Sequence, residues 1–265
     1  MKKHSPESLL KVPKGFFNRF NEGMGLLGSG VKIAYTGPRL AFSLPPLMIN
    51  VLIFILAVWM VVEKGGSFID MVMGPDEGNY LGWLNWLLSG LLKVVLLYLV
   101  VTVFPILASI VSAPFLEFLT ESQEKYLGTR KDLPAFSFKA MFKDLVTTVS
   151  HALKSLLLFI VLSMISVLLE FIPGIGQVIH VVVAVCLSGL LLAFQFMDYA
   201  AARRRLSFRE KLGILVKDLA GSLGFGIAVF FTFLIPLTAP FVLAPAACGG
   251  TLLFLRTGYK NSTTN

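Results

Sequence analysis

The feature that most constrains this chain is a sharp break between two long apolar stretches, residues 155–169 and 178–197. The segment that separates them, Phe171–Gln177, contains one proline and two glycines. Proline lacks a backbone donor and glycine tolerates positive φ, so the chain must turn at this segment. Because the flanking stretches are too apolar for a loop in water, the sequence predicts the apex of a helical hairpin within a membrane.

A second, weaker break predicts a second hairpin. Residues 234–240 read Leu-Ile-Pro-Leu-Thr-Ala-Pro and lie between the apolar stretches 223–235 and 241–255. The first of these two arms reaches only about 20 Å, whereas the hydrocarbon core of a bilayer is about 30 Å thick. This hairpin is therefore predicted to re-enter the membrane rather than to span it.

Amphipathic segments lead into both hairpins. The first lead-in and hairpin occupy residues 138–198, and the second amphipathic segment and hairpin occupy residues 207–256. The second segment opens with Ser207-Phe208-Arg209-Glu210, the Ser-x-x-Glu pattern of a helix capping box. A further amphipathic helix is predicted at residues 15–35, with an apolar stripe suited to the cytoplasmic interface. The stripe consists of Phe16, Phe20, Met24, Leu27 and Val31.

Composition places these hairpins in an integral membrane protein. Hydrophobic residues make up 56% of the 265 residues and charged residues only 14%, whereas soluble domains carry about a quarter of charged residues. Residues 40–62 are predicted to form one transmembrane helix and residues 81–125 a second, longer one. The prediction is a single all-α, polytopic membrane domain, residues 1–265, with two long transmembrane helices, two re-entrant or hemi-penetrating helical hairpins and in-plane amphipathic helices.

The net charge of +8 is distributed as the positive-inside rule requires. Residues 1–39 hold seven Lys and Arg against two Glu, and residues 199–221 hold six against two acids. Residues 63–80 hold one Lys against four acids. We therefore expect the N-terminus and the feet of both hairpins on the cytoplasmic side, and a nucleic-acid partner is not needed to explain the basic charge.

Residues that could support catalysis or metal binding are few and scattered. The candidates Glu170, His180 and Asp198 form no known catalytic pattern, and no Walker A sequence is present. Cys186 and Cys248 lie in apolar surroundings that are typical of reduced core thiols. The sequence therefore predicts a protein that is not an enzyme and has no metal site, no cofactor and no ATPase of its own.

Charged residues at membrane depth are the candidates for a transport path. Lys93, Glu117, Glu170 and Asp198 lie in or beside apolar stretches. An ionisable group in such a place either faces a polar path through the protein or extends its charge to the interface. The sequence leaves both interpretations open.

The first apex is a candidate anion site. Pro173, Gly174, Gly176 and Gln177 lead into the return arm, whose first backbone N–H groups and positive dipole end could bind an anion. Broken helices in transporters present such ends near the midplane of the membrane. A turn that binds no ligand explains the same residues, so this alternative also stays open.

A second candidate anion site precedes the first transmembrane helix. Gly37 allows a ligand to approach the backbone, and Pro38 suits a first helical turn. Arg39 supplies a forked donor that matches tetrahedral oxyanions, although a lipid phosphate would satisfy the same geometry.

The end of the second long helix is also charged. Glu117, Glu121 and Glu124 recur at i, i+4 and i+7 on one helical face, and Lys125 follows them. The end of this helix therefore carries its acids on one face.

Taken in order, these motifs resemble the CysZ-type sulfate permease family of bacteria, which shares a broader family with the etoposide-induced protein of animals. The landmarks are Gly37-Pro38-Arg39, Ala113-Pro114-Phe115, Phe171–Gln177, Gln195–Tyr199, Ser207–Glu210 and Ala244–Gly249. The resemblance implies two long spanning helices, two partly penetrating hairpins and homo-oligomers. It also implies import of sulfate across the inner membrane for cysteine synthesis.

The resemblance further implies site residues. The family's sulfate site falls on Gly37, Pro38 and Arg39, and its charged patch falls on Glu121 and Glu124, with Lys125 beside them. The chain departs from the family pattern at three positions, each of which lacks an expected residue. These departures are Pro38 for Leu, Leu40 for Arg and Tyr126 for Arg.

The predicted function is that of an inner-membrane permease or channel for sulfate or a similar small oxyanion. Its expected partners are the oxyanion, membrane lipids and further copies of the chain. The alternative is a non-transporting scaffold or lipid-interacting protein. In that case Gly37-Pro38-Arg39 and the run Arg203-Arg204-Arg205 would hold phospholipid headgroups.

Overall fold

Helices are the only regular elements in the described part of the chain. The computed structural model describes residues 12–73, 82–128, 138–235 and 238–257. The α-helices are α1 (Phe16–Ala34), α2 (Leu40–Met73), α3 (Gly82–Tyr126), α4 (Phe138–Val167), α5 (Gly176–Ala202), α6 (Phe208–Lys217), α7 (Leu219–Phe233) and α8 (Ala239–Thr257). Short 3-10 turns occupy Gly37–Arg39 and Leu168–Phe171. The predicted all-α class is confirmed.

The chain forms two compact units that divide at Ser43 and at Pro114. The second unit contains most of α2 and α3, including the polar pair Asn50 and Ser112. The Asn50 side-chain nitrogen donates to the Ser112 hydroxyl over 2.6 Å, and both residues are fully buried. A polar group inside an apolar helix needs such a partner, so this bond ties the two long helices together within that unit.

Four helical segments in the described part of the chain are long and apolar enough to cross a membrane. They are Gly37–Val61, Leu153–Phe171, Gly176–Ala202 and Pro240–Thr257, and α6 with α7 would add a fifth if that bent pair is one span. The first matches the predicted span at residues 40–62, although α2 itself continues to Met73. The re-entrant depth of the hairpins and the in-plane position of α1 stay predictions.

The first predicted turn is present, and the helices are interrupted at the second predicted break. Gly174 has a φ of +84°, and a Cβ on Gly176 would lie 2.1 Å from the Leu169 carbonyl oxygen. Both glycines are therefore required for the first turn. At the second break α7 ends at Phe233 and α8 begins at Ala239, while Pro236 and Leu237 lie outside the described residues.

The core of the first unit is a set of close helix crossings between α1, α5, α7 and α8. A Cβ on Gly30 of α1 would lie 2.1 Å from the Pro245 carbonyl oxygen of α8. A Cβ on Gly226 of α7 would lie 1.8 Å from the Gly189 carbonyl oxygen of α5. Glycines allow membrane helices to approach each other this closely, and α8 is almost entirely enclosed as a result.

Helix α1 has two apolar faces rather than the single predicted stripe. Phe16, Met24 and Val31 of the stripe are exposed, whereas another face is buried against α7 and α8. The buried residues are Gly23, Leu26, Gly30, Ile33 and Ala34. The sequence-based analysis did not predict this second face, because glycine and alanine add little to an apolar pattern.

The lead-in to the first hairpin and its first arm form one continuous helix, α4. The side chains of residues 138–149, which carry the predicted amphipathic pattern of this lead-in, lie outside the described residues. The second lead-in, α6, begins with the predicted capping box. The Ser207 hydroxyl accepts from the Glu210 amide, and the Ser207 amide donates to the Glu210 carboxylate.

Candidate functional site

Arg39 lies at the tight connection between α1 and α2. Gly37, with a φ of +64°, starts the 3-10 turn that redirects the chain. The Arg39 Nε then donates to the Ile33 carbonyl oxygen over 3.0 Å. This places a cation at the negative end of α1, where the helix dipole favours it. The arginine is consequently buried, with 8% of its surface exposed.

The flat face of the Arg39 guanidinium group stacks on Tyr126. The guanidinium carbon lies 4.2 Å from the centroid of the tyrosine ring. Among the described residues, no carboxylate pairs with Arg39 and no acceptor bonds to its two terminal nitrogens. The side chain is therefore oriented by its Nε and its face, and its two terminal nitrogens keep hydrogen-bonding capacity that a ligand could use.

Two hydrogen bonds join helix α8 to the segments that carry Arg39 and Tyr126. The Tyr35 hydroxyl donates to the Phe241 carbonyl oxygen over 2.7 Å, and the Gln123 amide donates to the Cys248 carbonyl oxygen over 3.0 Å. Burial, and secondarily the neighbouring Cys248, raises the pKa of Tyr35 to about 12. Tyr35 thus keeps its proton and its donor role at neutral pH.

Glu124, predicted as part of a charged patch, is held by two arginines from the end of α5. Its Oε1 accepts from Arg203 Nη2 over 2.7 Å, and its Oε2 accepts from Arg204 Nη2 over 2.9 Å. Only 1% of Glu124 is exposed. Arg203 also donates to the Thr120 hydroxyl over 2.7 Å. These two guanidinium groups and one carboxylate have a formal charge of +1.

The other predicted residues of the charged patch form a more exposed pair. Lys125 Nζ lies 3.1 Å from Glu121 Oε1, one helical turn apart. The side chain of Lys125 is 57% exposed and that of Glu121 28%. This pair therefore lies closer to solvent than Glu124 does.

The pairing of Glu124 with the arginine run was not predicted. The sequence indicated only that Tyr126 replaces an expected arginine, and it assigned Arg203 and Arg204 to the positive-inside pattern. The structure brings these two cations to the acid from 79 and 80 residues further along the chain. An unpaired acid on an apolar helix next to a basic run is the signal that could have suggested this contact.

Asp198, a predicted candidate for a polar path, forms a buried ion pair with Lys211 of α6. Only 2% of Lys211 and 14% of the Asp198 side chain are exposed. The pair joins the end of α5 to α6. Glu117 contributes its carbonyl oxygen to Arg203, and Lys93 is exposed in the second unit.

The first apex brings together two other candidates, Glu170 and His180. His180 Nε2 lies 3.5 Å from Glu170 Oε1, and its Nδ1 lies 3.0 Å from the Ser166 carbonyl oxygen. The Gly176 amide donates to the Ile172 carbonyl oxygen over 3.0 Å, so this predicted anion donor already has an acceptor. Pro173, Gly174 and Gln177 are exposed.

In the described residues no bond joins the apex to Arg39 or to Glu124. The predicted site residues thus form separate groups, of which the groups around Arg39 and Glu124 meet on the last turns of α3. Both cysteines, Cys186 and Cys248, are free thiols, as the sequence predicted.

Comparison with known proteins supports one family. The family described as "Sulfate transporter CysZ/Etoposide-induced protein 2.4" matches residues 26–244. The chain is 29% identical over 234 residues to "Sulfate transporter CysZ" of Pseudomonas paraeruginosa, which covers 88% of this chain and 94% of the relative. It is 29% identical over 237 residues to the protein of that name from Pseudomonas fluorescens, with 88% and 93% covered.

A more distant relative matches over the same length. "Sulfate transporter CysZ" of Vibrio cholerae is 26% identical over 233 residues, which is 88% of this chain and 92% of the relative. The family match covers most of the chain, including Arg39, the end of α3 and both hairpin turns. Together with its apolar helices, this makes the chain a multi-pass membrane protein, and it belongs to the Sulfate transporter CysZ/Etoposide-induced protein 2.4 family.

Proposed function

We propose that this protein is a permease or channel that passes sulfate, or a similar small inorganic oxyanion, across the bacterial inner membrane. It carries no ATPase and is not an enzyme, and the imported sulfate serves cysteine synthesis. The names of its relatives support the transport role. The single observation that carries the proposal is that the two terminal nitrogens of the largely buried Arg39 have no hydrogen-bond acceptor among the described residues.

Capture takes place at Gly37, Pro38 and Arg39. The two terminal nitrogens of Arg39 can donate to two oxygens of a tetrahedral anion at once, which a lysine cannot do. Stacking on Tyr126 and the bond to Ile33 support this role, because they orient the guanidinium group before the anion arrives. Preorganised donors lose little conformational entropy on binding.

The anion then passes the charged end of α3. Glu124 would repel it, but two arginines neutralise this acid and leave the cluster positive. Glu121 and Lys125 form a neutral pair beside it. An anion near this surface is therefore attracted rather than rejected. The apex segment Gly174–Gln177 is proposed as a further, deeper contact through the amides of Gly174 and Gln177, because the Gly176 amide already donates to the Ile172 carbonyl oxygen.

The proposed topology places the N-terminus in the cytoplasm and both hairpins partly within the bilayer. The chain acts as a homo-oligomer in a single membrane domain, residues 1–265. The basic segments at residues 1–39 and 199–221 support this orientation.

The experiment is uptake of radiolabelled sulfate into proteoliposomes, with protein-free liposomes and the Arg39→Ala variant as comparisons. The proposal expects protein-dependent uptake that the variant reduces to near the protein-free rate. Lys32→Gln, which removes an exposed cation from α1, is the matched control and should retain uptake. Absence of protein-dependent flux would remove the proposal.

A second candidate function, a lipid-interacting scaffold, is favoured by the aromatic surface near Arg39. Phe42 and Phe118 are exposed with ring centroids 6.4 Å apart, and Tyr126 is also exposed. Rings of this kind suit a lipid whose phosphate is held by Arg39, whereas Arg203 and Arg204 of the predicted headgroup cluster bond to Glu124. Native mass spectrometry separates the two functions, since retained anionic lipid without sulfate binding would favour the scaffold.

A further inference from the structure

A cleft that is separate from the Arg39 site lies where α1 begins and α6 meets α7. Helices α6 and α7 are bent by 95° relative to each other, and the first turn of α1 lies against this bend. The cleft is shallow and open to its surroundings, with a volume of about 400 Å³. Its lining includes cations and apolar side chains but none of the predicted site residues.

Two cations, Arg19 and Lys217, line the cleft. Arg19 Nε donates to the Pro13 carbonyl oxygen over 3.0 Å, which orients its guanidinium group. Its Nη1 lies 3.9 Å from Asp218 Oδ1, an oxygen that already accepts from the Gly221 amide. Lys217 is exposed and has no ion-pair partner among the described residues. With two cations and one carboxylate, the cleft is positively charged.

Exposed apolar side chains surround these cations. Phe16 and Phe17 are 55% and 80% exposed, and their rings meet edge to face. Val216 and Leu219, on the other side of the cleft, are 58% and 40% exposed. A cationic centre with a wide apolar rim is typical of protein surfaces at the membrane interface.

We propose that this cleft binds the headgroup of an anionic phospholipid. The phosphodiester contacts Arg19 and Lys217, and the acyl chains run along Phe16, Val216 and Leu219. The positive charge selects an anionic over a zwitterionic lipid. The apolar rim selects a lipid over a free anion, because it contributes to binding only when the ligand has hydrocarbon to bury.

The test is native mass spectrometry of the full chain in detergent. The protein is titrated with dioleoyl phosphatidylglycerol, with dioleoyl phosphatidylcholine, and with phosphatidylglycerol in the presence of inorganic phosphate. The cleft variant is Arg19→Gln with Lys217→Gln. The matched control is Lys32→Gln with Arg209→Gln, which removes the same charge from two exposed positions outside the cleft lining.

We expect phosphatidylglycerol to bind the wild type more tightly than phosphatidylcholine by about tenfold or more, since each basic residue contributes about a factor of five. The cleft variant should lose this preference and the control variant should keep it. Because Arg19 also bonds to Pro13, the single variant Lys217→Gln is measured as well. It should weaken the binding of phosphatidylglycerol about fivefold. This variant removes no bond seen between described residues.

Three results would overturn the proposal. The cleft and control variants could lose affinity for phosphatidylglycerol to the same extent, which would show only a general effect of charge. The two lipids could bind the wild type alike. Inorganic phosphate at concentrations equal to the lipid could displace phosphatidylglycerol, which would make the cleft a site for a free anion. Sulfate flux is not the readout, so the result is independent of the transport function.

Discussion

The arginines of two separate groups, one around Arg39 and one around Glu124, are used in opposite ways. Arg39 is held by a carbonyl oxygen and an aromatic face, and its terminal nitrogens have no hydrogen bond among the described residues. Arg203 and Arg204 direct their terminal nitrogens at a buried carboxylate. The first arrangement leaves a cation ready for a ligand, whereas the second uses cations to hold α5 against α3. Similar burial therefore does not imply a similar role.

The largest expected effect is a loss of stability when the carboxylate of Glu124 is removed, which tests the structural role of Arg203 and Arg204. The change Glu124→Gln leaves two buried guanidinium groups without their carboxylate, and should cost about 3–5 kcal/mol of unfolding free energy. Thermal unfolding in detergent measures this loss. The control is Lys125→Gln, which removes a partly exposed pair with Glu121 worth about 0–1 kcal/mol. Equal stability of the two variants would contradict the structural role of Arg203 and Arg204.

A smaller effect is expected from a substitution of Arg39 that keeps the positive charge but removes the two terminal guanidinium nitrogens. Arg39→Lys should weaken sulfate binding about tenfold, because an ammonium group cannot donate to two oxygens in the planar geometry. A scintillation proximity assay with labelled sulfate on purified protein measures the change. Wild-type affinity in this variant would show that charge alone, and not the open fork, binds the anion.

The stacking of Tyr126 on Arg39 should have a moderate effect. Tyr126→Leu removes a cation–π contact of about 0.5–1 kcal/mol, so sulfate affinity should fall about two- to fivefold. Tyr126→Phe retains the ring and should bind sulfate as the wild type does. If the two variants bind sulfate equally, the ring does not position Arg39.

The smallest expected effect is on the pH dependence of stability, through the capping box of Ser207 and Glu210. Two hydrogen bonds from Ser207 lower the pKa of Glu210. The bond from the Ser207 side chain has the larger effect, and the bond from its backbone the smaller. A carboxylate with a lowered pKa stabilises the fold above its unfolded pKa, and this contribution is lost as the pH falls through the folded value. Melting curves of wild type and Glu210→Gln should therefore differ slightly at neutral pH and converge in acid. A constant difference would show that the cap is not electrostatic.

The sequence predicted the features that depend on neighbouring residues. The turn at Gly174 and the capping box at Ser207 follow from local backbone chemistry, and both are present. Gly37 and Arg39 were identified in the same way, as a turn followed by a forked cation. Their use as a sulfate site stays a prediction.

The sequence did not predict the features that depend on distant contacts. Arg203 reaches Glu124 across 79 residues, and no local pattern encodes that distance. The crossings at Gly30 and Gly226 depend on which helices approach each other, and glycine in an apolar stretch is compatible with many packings. The stacking of Arg39 on Tyr126 was missed because Tyr126 was noted only as a departure from an expected arginine.

The most direct test of the contrast measures flux and stability on the same preparations of Arg39→Gln and Arg204→Gln. Sulfate uptake into proteoliposomes is normalised to the folded, inserted protein, and thermal unfolding is followed in parallel. Arg39→Gln removes one buried hydrogen bond and one cation–π contact, so it should lose about 2 kcal/mol of unfolding free energy. Its sulfate uptake should fall to near the protein-free rate. Arg204→Gln should lose more unfolding free energy than Arg39→Gln does, because its guanidinium group bonds to the buried Glu124. Wild-type uptake by folded Arg39→Gln would contradict the central claim that the open fork of Arg39 captures the anion.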